Sequence, residues 1–465
     1  MPNTDLAPAA LDALRACTDA ARVLTDPADL EHYGRDWTRQ VAPAPSAIVL
    51  PASVAEVQAV VRWAIEHRVA LVPSGGRTGL SGGAVAPGGE VVVALDRMNR
   101  LLAFDPIDRT LTVQAGMVTE AVQNAARERG LFYPVDFASK GSSQIGGNVG
   151  TNAGGIKVLR YGMTRDWVAG LKVVTGTGEV LELNRGLVKN ATGYDLRHLF
   201  IGAEGTLGIV VEATLVLTEP PADPKVMVLA LPDAAAIMRV FAAFRAQVAL
   251  SAFEFFTDRA LAHVLAHGAQ RPFETEAPFY VVCEFDAVGA AETDALAAFE
   301  ACAEEGLLLD GVIGQSQAQN ADLWKLREGI SESLAPHLPY KNDVSVRISA
   351  VPAFMAEAQA LIAREYPDFE VVWFGHIGDG NLHINILKPE GLAHPAFVEE
   401  CGRVTALLGE VIERHGGSIS AEHGVGLLKK PYLHHTRGAA EIALMQGIRA
   451  VFDPHRILNP GKLVD

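Results

Sequence analysis

Two histidines that flank a Gly-Asp-Gly turn are the residues whose types and spacing first point to chemistry. The stretch WFGHIGDGNLHINI runs from Trp373 to Ile386 and places His376 seven residues before His383. If the chain after the turn is extended, His383 and Asn385 lie on one face and the apolar residues around them lie on the other. The turn then brings the two imidazoles together, and such a pair suits zinc or another borderline divalent metal. The alternative is a pair of ordinary surface or core residues, since the chain contains 14 histidines.

The overall charge limits the partners that the chain is expected to bind. The 465 residues carry a net charge of −16, which makes nucleic acid an unfavourable partner. An anionic substrate would also be repelled, so local arginine, lysine or a metal ion must hold it. The four cysteines form no C-x-x-C motif, which argues against a disulfide framework and against a thiolate zinc site. The first residues lack the pattern of a secretory signal, and no run approaches the ~20 apolar residues of a membrane helix, so a cytoplasmic location is expected.

The elements predicted for residues 47–220 form one α+β unit, preceded by an N-terminal helical segment at 1–46. The stretch AIVLPASVAEVQAVVRWAIEH predicts a strand and then a helix with Ser53 as its N-cap. In GIVVEATLVL, alternate residues from Ile209 to Leu217 are apolar, which predicts a strand with one buried face.

A second unit is expected at residues 221–415. The linker EPPADP marks its start. The strand-like runs KVMVLAL and FYVVCEF alternate there with helices predicted at Ala234–Ala249 and Glu292–Glu305, which indicates an antiparallel sheet covered by helices on one side. The last segment, 416–465, contains a glycine loop, a helix and DPHRILNPGKL, and we expect it to return to the first unit. The sequence therefore predicts an α+β protein with two main domains.

Three glycine-rich loops in the first unit have the composition of phosphate-binding loops. They are PSGGRTGLSGG at 73–83, GSSQIGGNVGTNAGG at 141–155 and GAEGTLG at 202–208. Glycine allows backbone N–H groups to point at a phosphate and lets the chain approach it closely. Each loop taken alone could be an ordinary connection. No G-x-G-x-x-G opens a βαβ unit and no G-x-x-x-x-G-K-[ST] occurs, so Rossmann and P-loop nucleotide sites are excluded.

The order of these loops and of several later motifs resembles one flavoprotein family. The motifs are PSGGRTGLSGG, GGNVGTNAGG, GAEGTLGIV, GHIGDGNLH, SAEHGVG and DP-x-x-I-L-N-P-G-K, and the resemblance extends from about Ala47 to Lys462. Together they resemble the FAD-dependent D-2-hydroxyacid dehydrogenases of the vanillyl-alcohol oxidase (p-cresol methylhydroxylase) superfamily, above all the branch that acts on D-2-hydroxyglutarate. The resemblance implies a FAD-binding domain of that type at 47–220, a substrate (cap) domain at 221–415 and a C-terminal helical segment at 416–465.

The resemblance also implies the residues that surround FAD. The first loop would hold the pyrophosphate, the second would surround ribose, phosphate and isoalloxazine, the third would lie at the adenine, and Asn459 would reach the flavin from the tail. Relatives with covalent FAD use a histidine in the first loop or a cysteine in the second; here the first has Arg77 and Thr78 and the second has no cysteine, so non-covalent FAD is expected. The implied contacts are Pro73, Ser74, Gly75, Gly76, Arg77, Thr78, Gly79, Ser142, Gly147, Asn148, Thr151, Asn152, Gly154, Glu204, Gly208, Ile209 and Asn459.

Three residues are implied as ligands of a divalent metal, and a fourth as the catalytic base. His376 and His383 would be joined by Glu422 of SAEHGVG, which gives two histidines and one carboxylate with open coordination positions. Zinc is expected, although iron, manganese or cobalt suit the same ligands. His423, next to Glu422, would contact the substrate and take the proton from its hydroxyl group.

Cations for an anionic substrate are present in LWKLREGIS and PYKNDVSV. In a helix over the first stretch, Arg327 and Ser331 lie four residues apart on one face, and Lys341 follows in the second stretch. The resemblance implies that these three residues hold a distal carboxylate and that Asn385 binds the other end of the substrate. Each of them could instead be a solvated surface residue. Arg347, where many relatives have proline, is either a further contact or a local surface change.

The predicted reaction is the oxidation of a D-2-hydroxyacid to a 2-oxoacid with hydride transfer to FAD. D-2-Hydroxyglutarate is favoured as the substrate because the cations suit a second carboxylate, with D-lactate, D-malate and glycolate as alternatives. Other hypotheses are a glycolate oxidase subunit that needs partner chains and a non-catalytic flavin-binding protein. The resemblance implies a homodimer and, as electron acceptor, electron-transfer flavoprotein or a quinone. The missing nicotinamide fingerprint argues against NAD.

Overall fold

A computed structural model describes residues 6–465, so the first five residues of the predicted segment 1–46 lie outside the described residues. In chain order, the helices are α1 (Pro8–Arg15), α2 (Pro27–Tyr33), α3 (Val54–His67), α4 (Thr119–Arg127), α5 (Ile145–Thr151), α6 (Val158–Tyr161), α7 (Thr164–Trp167), α8 (Arg197–Phe200), α9 (Ala234–Gln247), α10 (Asp258–Ala266), α11 (Ala291–Glu304), α12 (Gln317–Glu328), α13 (Ile330–Leu334), α14 (Val351–Glu365), α15 (His394–Arg414) and α16 (Ala439–Phe452).

The strands are, in the same order, β1 (Val23–Leu24), β2 (Ala47–Val49), β3 (Leu71–Ser74), β4 (Val91–Ala94), β5 (Leu101–Asp105), β6 (Thr110–Gln114), β7 (Val168–Thr175), β8 (Val180–Leu183), β9 (Gly208–Val216), β10 (Pro224–Leu231), β11 (Leu250–Thr257), β12 (Phe279–Asp286), β13 (Asp310–Ile313), β14 (Tyr340–Ser345), β15 (Val371–Gly375) and β16 (Asn381–Ile386).

The described residues form two compact units. Unit 1 contains the residues up to 154, residues 163–220 and residues 422–465, and unit 2 contains 155–162 and 221–421. That unit 1 binds FAD and unit 2 binds the substrate stays a prediction.

Unit 1 has two sheets whose strands contribute to one apolar core. The four-stranded sheet has the order β1-β2-β4-β3, in which β2, β4 and β3 are parallel and β1 pairs antiparallel with β2. The five-stranded sheet has the order β5-β6-β9-β7-β8 and is antiparallel. Helix α3 adds Val57, Val60 and Ala64 to the core. The Ser53 hydroxyl accepts the N–H of Glu56 at the start of α3, which confirms the predicted N-cap.

Strand β9 shows the predicted alternation of buried and more exposed residues. Ile209, Val211 and Leu215 are at most 1% exposed and belong to the core, whereas Glu212 and Thr214 between them are half-buried. Alternate residues of a strand point to opposite faces, so one face of β9 contributes to the core of unit 1.

Residues 422–465 of the predicted last segment, 416–465, are part of unit 1 and are tied to it by backbone bonds, whereas residues 416–421 belong to unit 2. Leu458 forms a parallel bridge with Leu71, and the N–H of Asn459 donates to the Leu71 carbonyl at 2.7 Å. The turn before this bridge is held by Asp453, whose two oxygens accept the N–H of Ile457 at 3.1 Å and the N–H of Leu458 at 2.9 Å. Burial raises the pKa of the Asp453 carboxyl, and the two backbone bonds oppose that shift.

Unit 2 is built on one seven-stranded sheet. Its strand order is β13-β10-β12-β11-β15-β16-β14, and every pairing is antiparallel, as predicted. Helices cover both faces of the sheet, so the prediction of helices on one side was wrong. Phe253 of β11 contacts Phe241 of α9, with ring centroids 4.9 Å apart. Phe256, on the opposite face of β11, belongs to a cluster with Leu261 of α10 and Trp324 of α12. Each residue of β11 is buried, as expected for a strand between two helical layers.

Helix α15 is the longest helix of the described range, with 21 residues. Charged residues are spread along its sequence, HPAFVEECGRVTALLGEVIER. None of the helices in the described part of the chain combines the length and the apolar character that crossing a lipid bilayer requires.

Replacing Asp453 with alanine is expected to lower the free energy of unfolding by about 2–5 kcal/mol, because two buried N–H groups lose their acceptor. Asp105→Ala is the matched control. Asp105 also accepts two backbone N–H groups, those of Ile107 at 2.8 Å and Asp108 at 3.0 Å, but it is exposed, so water can replace it. We expect that control to lower the free energy of unfolding by clearly less than Asp453→Ala. Denaturant unfolding followed by circular dichroism measures both values, and equal losses would contradict the role given to burial.

Candidate functional site

The register of β14, β15 and β16 brings predicted site residues to one face of the sheet in unit 2. Residues directly opposite each other on paired strands share a face. His383 of β16 lies opposite Phe374 of β15 and Asp343 of β14. Two residues further along β16, Asn385 lies opposite Lys341 of β14. The predicted substrate residues Lys341 and Asn385 therefore lie next to the predicted metal ligand His383.

The turn after β15 places His376 beside His383, as predicted. The two imidazole rings have centroids 5.2 Å apart and planes at 82°. The carbonyl of His376 accepts two backbone N–H groups of the turn, at 3.1 and 3.2 Å. Glycine is required at Gly380, where φ is +89° and an added Cβ would lie 2.2 Å from the Val346 carbonyl oxygen. The Gly-Asp-Gly sequence thus allows the chain to reverse direction within this short distance.

Asp343 is a fully buried carboxylate beside His383 that the sequence analysis missed. Its Oδ1 lies 3.6 Å from Nδ1 of His383 and accepts the Asn381 amide at 2.9 Å. Its Oδ2 accepts the N–H of Ala421 at 3.2 Å. The ligand atoms that His383 and Asp343 offer to a metal lie within 4.8 Å of each other. The sequence feature that could have indicated Asp343 is an acidic residue within the strand YKNDVS, which pairs with the largely apolar strand β16.

A second buried carboxylate, Glu254 of β11, contacts two of the predicted site residues. It is 1% exposed. Its Oε1 and Oε2 lie 2.9 and 2.8 Å from Nδ1 of His376. Oε2 also lies 2.9 Å from Nη2 of Arg327, whose guanidinium carbon is 4.9 Å from the centroid of the Phe374 ring. The sequence analysis missed Glu254 because a single glutamate in SAFEFFTD has no local motif around it.

Predicted substrate residues of unit 2 carry hydrogen-bond donors that lack an acceptor among residues 6–465. Arg327 is 6% exposed, and neither Nε nor Nη2 has an aligned acceptor, although Nη2 is close to Glu254. Asn385 is 1% exposed, and its Nδ2 has no partner in this range. Burial lowers the pKa of the Lys341 ammonium. Buried donors without acceptors are unfavourable, so this set is suited to an anion with several acceptor atoms.

The remaining predicted substrate residues differ in their positions. Helix α12 ends at Glu328 and α13 begins at Ile330, so Arg327 and Ser331 lie on two successive helices, and the single helix predicted over this stretch was wrong. The glycine between the helices is the poorest helix former after proline.

Ser331 is half-buried, whereas Arg347 is exposed. Its exposure favours the surface interpretation of Arg347.

The three glycine-rich loops lie against one another in unit 1. A Cβ added to Gly76 would lie 2.1 Å from the carbonyl oxygen of Ser142, so the first and second loops are in contact. The N–H of Glu204 donates to the carbonyl of Gly150 at 2.8 Å, which joins the third loop to the second. The Asn459 side-chain amide donates to a carbonyl of the first loop at 2.9 Å and to that of Glu204 at 2.6 Å. Asn459 therefore fastens the first loop to the third.

Buried polar atoms in these loops and in the adjoining Asn459 need a partner that residues 6–465 do not supply. They are Oγ of Ser74, Oε1 of Gln144 and Oδ1 of Asn459, and Gln144 was not predicted. A Cβ added to Gly79 or Gly147 would meet no described atom within 4 Å, so there is open space beside both loops. Unpaired polar atoms and open space at glycine-rich loops fit a ligand that carries phosphate.

Several of the predicted cofactor residues use their side chains within the protein. The Arg77 guanidinium donates to both oxygens of Asp96, at 3.2 and 3.1 Å. The Asn148 amide donates to Oγ1 of Thr119 at 2.7 Å, and Ile209 lies in the apolar core. We therefore expect these residues to contact a cofactor through the backbone. The other predicted residues lie within the loops or at their ends, namely Pro73, Gly75, Thr78, Thr151, Asn152, Gly154 and Gly208.

Glu204 joins the glycine loops to the SAEHGVG segment within unit 1. Its Oε1 accepts the N–H of Val425 and its Oε2 accepts the N–H of Gly426, each at 2.7 Å. Burial raises the pKa of the Glu204 carboxyl, and these two bonds oppose the shift. Lys462, which the sequence analysis did not single out, is fully buried, and burial lowers its pKa to about 8. The signal for Lys462 was its place in the NPGK motif.

Glu422 and His423 provide a carboxylate and an imidazole at adjacent positions of unit 1. Nε2 of His423 lies 3.5 Å from Oε1 of Glu422. Their side chains are 21% and 12% exposed, so both are partly shielded from water. Glu422 directly follows Ala421, the residue whose N–H donates to Asp343.

Both parts of the chain match models of known protein families. Residues 45–184 match the FAD binding domain, and residues 220–463 match the C-terminal domain of FAD linked oxidases. The first match includes two of the three glycine-rich loops, and the second includes the turn between His376 and His383.

Known proteins resemble the chain over nearly its whole length. A D-2-hydroxyglutarate dehydrogenase of Xanthomonas citri pv. viticola is 67% identical over 453 residues, which are 97% of this chain and 96% of the relative. A D-2-hydroxyglutarate dehydrogenase of Stutzerimonas stutzeri is 57% identical over 458 residues, which are 98% and 99% of the two chains. Among solved structures, p-cresol methylhydroxylase with substrate bound aligns with a TM-score of 0.76 at 18% identity, covering 98% of this chain and 96% of that one. That alignment confirms the predicted fold.

Proposed function

Because the chain belongs to the family of FAD-dependent D-2-hydroxyacid dehydrogenases, we propose that its substrate is D-2-hydroxyglutarate, which it oxidises to 2-oxoglutarate. The observation that carries this proposal is the set of buried donors on unit 2. Arg327 and Asn385 have buried, unpaired N–H groups, and Lys341 is a half-buried cation that forms no ion pair with a described carboxylate. D-2-Hydroxyglutarate has two carboxylates and one hydroxyl, which can supply the missing acceptors.

The loops of unit 1 would hold FAD without a covalent bond. Ser74, Gln144 and Asn459 have buried polar atoms that a ligand would satisfy, and glycines of the first two loops leave room for a pyrophosphate. The other residues that are implied to contact FAD, from Pro73 to Ile209, lie within these loops or at their ends. When bound, FAD supplies the acceptor for the hydride that leaves the substrate Cα. The protein positions that carbon and excludes water.

His376, His383 and Glu422 would hold a divalent metal, with zinc as the proposed ion. Nδ1 of His376 is bonded to the Glu254 carboxylate and Nδ1 of His383 lies 3.6 Å from the Asp343 carboxylate, and a carboxylate behind the imidazole is typical of histidines that bind a metal. Two imidazoles and a carboxylate are a donor set that suits zinc, iron, manganese or cobalt. When bound, such a metal would polarise the 2-hydroxyl of the substrate and lower its pKa.

The protein residues would bind the two ends of the substrate and move one proton. Arg327, Ser331 and Lys341 would hold the distal carboxylate, since guanidinium and ammonium groups make charge-assisted hydrogen bonds to carboxylates. Asn385 would donate to the end that carries the hydroxyl. A ring nitrogen of His423, in its neutral form, would accept the hydroxyl proton as the C–H bond breaks.

The remaining features of the proposal follow from the family. Electron-transfer flavoprotein or a quinone would take the electrons from the reduced flavin. We also expect a homodimer and a cytoplasmic location. Mass photometry of the purified protein tests the dimer, and turnover assays with each acceptor test the route of the electrons.

Anaerobic mixing with a substrate panel tests the proposed function. D-2-Hydroxyglutarate is expected to remove the visible flavin absorption band faster than L-2-hydroxyglutarate, D-lactate, D-malate or glycolate. Treatment with a chelator should slow this reaction, and added zinc should restore it. Acid precipitation of the same sample should leave a colourless pellet, as non-covalent FAD requires. An unchanged flavin spectrum with every compound would refute dehydrogenase activity, and faster bleaching by D-lactate would refute the proposed substrate.

Replacing His423 with alanine should slow flavin reduction by D-2-hydroxyglutarate by about 10²-fold or more, because general-base catalysis is lost. His434→Ala, at an exposed histidine of the same unit, is the control and should leave the rate unchanged. Stopped-flow absorbance measures both rates. A His423→Ala variant that reduces its flavin at the parental rate would remove the proposed role.

The activity should also depend on the charge of Lys341. Burial lowers the pKa of Lys341, so the ammonium loses its proton as the pH rises through that lowered value, and the cation is complete only below it. Above it, kcat/KM for D-2-hydroxyglutarate should fall by up to about tenfold per pH unit, provided that only the charged form binds the distal carboxylate.

The variant Lys341→Met should lose this alkaline limb and raise KM by about 10- to 100-fold at neutral pH, since it lacks one charged hydrogen bond. Lys325→Met is the matched control, because Lys325 is an exposed lysine of α12 that pairs with Asp322. Initial rates across pH measure both profiles. An alkaline limb that persists in Lys341→Met would show that another group titrates.

A further inference from the structure

We infer that Glu254 is a positioning residue that holds the proposed metal ligand His376 and the proposed substrate residue Arg327 with one carboxylate. The inference rests on the proposed function, which assigns those two roles. Glu254 itself would touch neither the substrate nor the metal. It lies in the middle of β11, on the face of the sheet that packs on α12.

The contact with His376 determines which ring nitrogen carries the proton. Both oxygens of Glu254 lie within 2.9 Å of Nδ1 of His376. An ionised carboxylate only accepts hydrogen bonds, so Nδ1 must carry the proton and Nε2 must carry the lone pair. A carboxylate bonded to the rear nitrogen fixes the tautomer and orientation of a ligating histidine and increases its basicity.

The contact with Arg327 orients a cation without using its donors. Nη2 of Arg327 lies 2.9 Å from Oε2 of Glu254, yet Nη2 and Nε both lack an aligned acceptor in the described part of the chain. The guanidinium is also held over the Phe374 ring, with its carbon 4.9 Å from the ring centroid. Glu254 and Phe374 therefore place the guanidinium, and the N–H groups of Nε and Nη2 can still donate to an incoming carboxylate.

Glu284 of the neighbouring strand β12 provides a comparison of the same residue type in the same sheet. It is 5% exposed and has a full set of partners: Lys157 at 3.0 Å, Ser251 at 2.6 Å and Trp324 at 3.0 Å. Those partners carry no predicted function, so Glu284 has the features of a structural buried carboxylate. Glu254 instead has two partners, and both are proposed to bind a ligand.

One carboxylate that serves both residues would link the two binding events. Each of the two partners interacts with the same negative charge, His376 through a hydrogen bond to Oε1 and Arg327 through an ion pair with Oε2. Removing the charge of Glu254 should therefore weaken metal binding and substrate binding together, without removing a ligand of either.

The test is a zinc titration of the FAD-loaded protein after a chelator has removed its metal. Isothermal titration calorimetry compares the parent with Glu254→Gln, Glu284→Gln and His376→Ala. We expect Glu254→Gln to weaken zinc binding by about 10- to 100-fold, the usual effect of losing a carboxylate behind a ligating histidine. Glu284→Gln should bind zinc like the parent, and His376→Ala should lose the site. At saturating zinc, KM for D-2-hydroxyglutarate should rise in Glu254→Gln and stay unchanged in Glu284→Gln.

The outcomes separate this inference from the proposed function. If His376→Ala binds zinc like the parent, the metal site itself is wrong and the inference fails with it. If His376→Ala loses zinc and Glu254→Gln binds it with the affinity of the parent, only the role of Glu254 is overturned. Equal weakening in Glu254→Gln and Glu284→Gln also overturns it, because the effect would then follow from burial of any carboxylate. Thermal unfolding of each variant confirms that the titrated samples are folded.

Discussion

The position of β16 between β14 and β15 is the constraint on which the site in unit 2 depends. Antiparallel pairing sets His383 opposite Asp343 on one side and opposite Phe374 on the other, and it sets Asn385 opposite Lys341. Side chains alternate along a strand, so a slip of one residue would turn all of these groups to the opposite face. Apolar residues occupy the alternate positions of β16 and are buried, which makes such a slip costly. Burial of the apolar face therefore also fixes the positions of the polar groups.

Unit 1 depends on a different kind of constraint, in which side chains bond to the backbone of loops. Glycine-rich loops have little apolar surface, so packing alone does not determine their path. The carboxylate of Glu204 and the amide of Asn459 supply the missing bonds, each to two backbone groups of other segments. Asn459 is positioned in turn by its own N–H, which donates to Leu71 of β3. The tail of the chain thereby becomes part of the loop region, and its bonds help to hold the loops in place.

Local patterns allowed much of this structure to be predicted, whereas contacts between distant segments did not follow from them. The N-cap at Ser53 and the turn after His376 depend on neighbouring residues, and both were predicted. Glu254 lies 122 residues from His376 in the sequence, and the stretch around it carries no motif. Asp343 depends equally on strand register, which sequence patterns do not specify between strands far apart. The break at Gly329 was missed because the flanking residues favour helix and one glycine is only a weak signal.

Because the chain has a negative net charge, the cations of unit 2 indicate which class of substrate it binds. With a net charge of −16, the protein as a whole repels anions, so binding of an anion requires a local set of donors. Removing the Arg327 and Lys341 charges from water, fully or in part, is unfavourable unless partners compensate, and Glu254 compensates only Arg327. A substrate with one carboxylate would leave one end of this donor set unpaired, since the proposed site also binds the hydroxyl end. A dicarboxylate satisfies both ends, and this difference in compensation is the physical basis for preferring D-2-hydroxyglutarate over D-lactate.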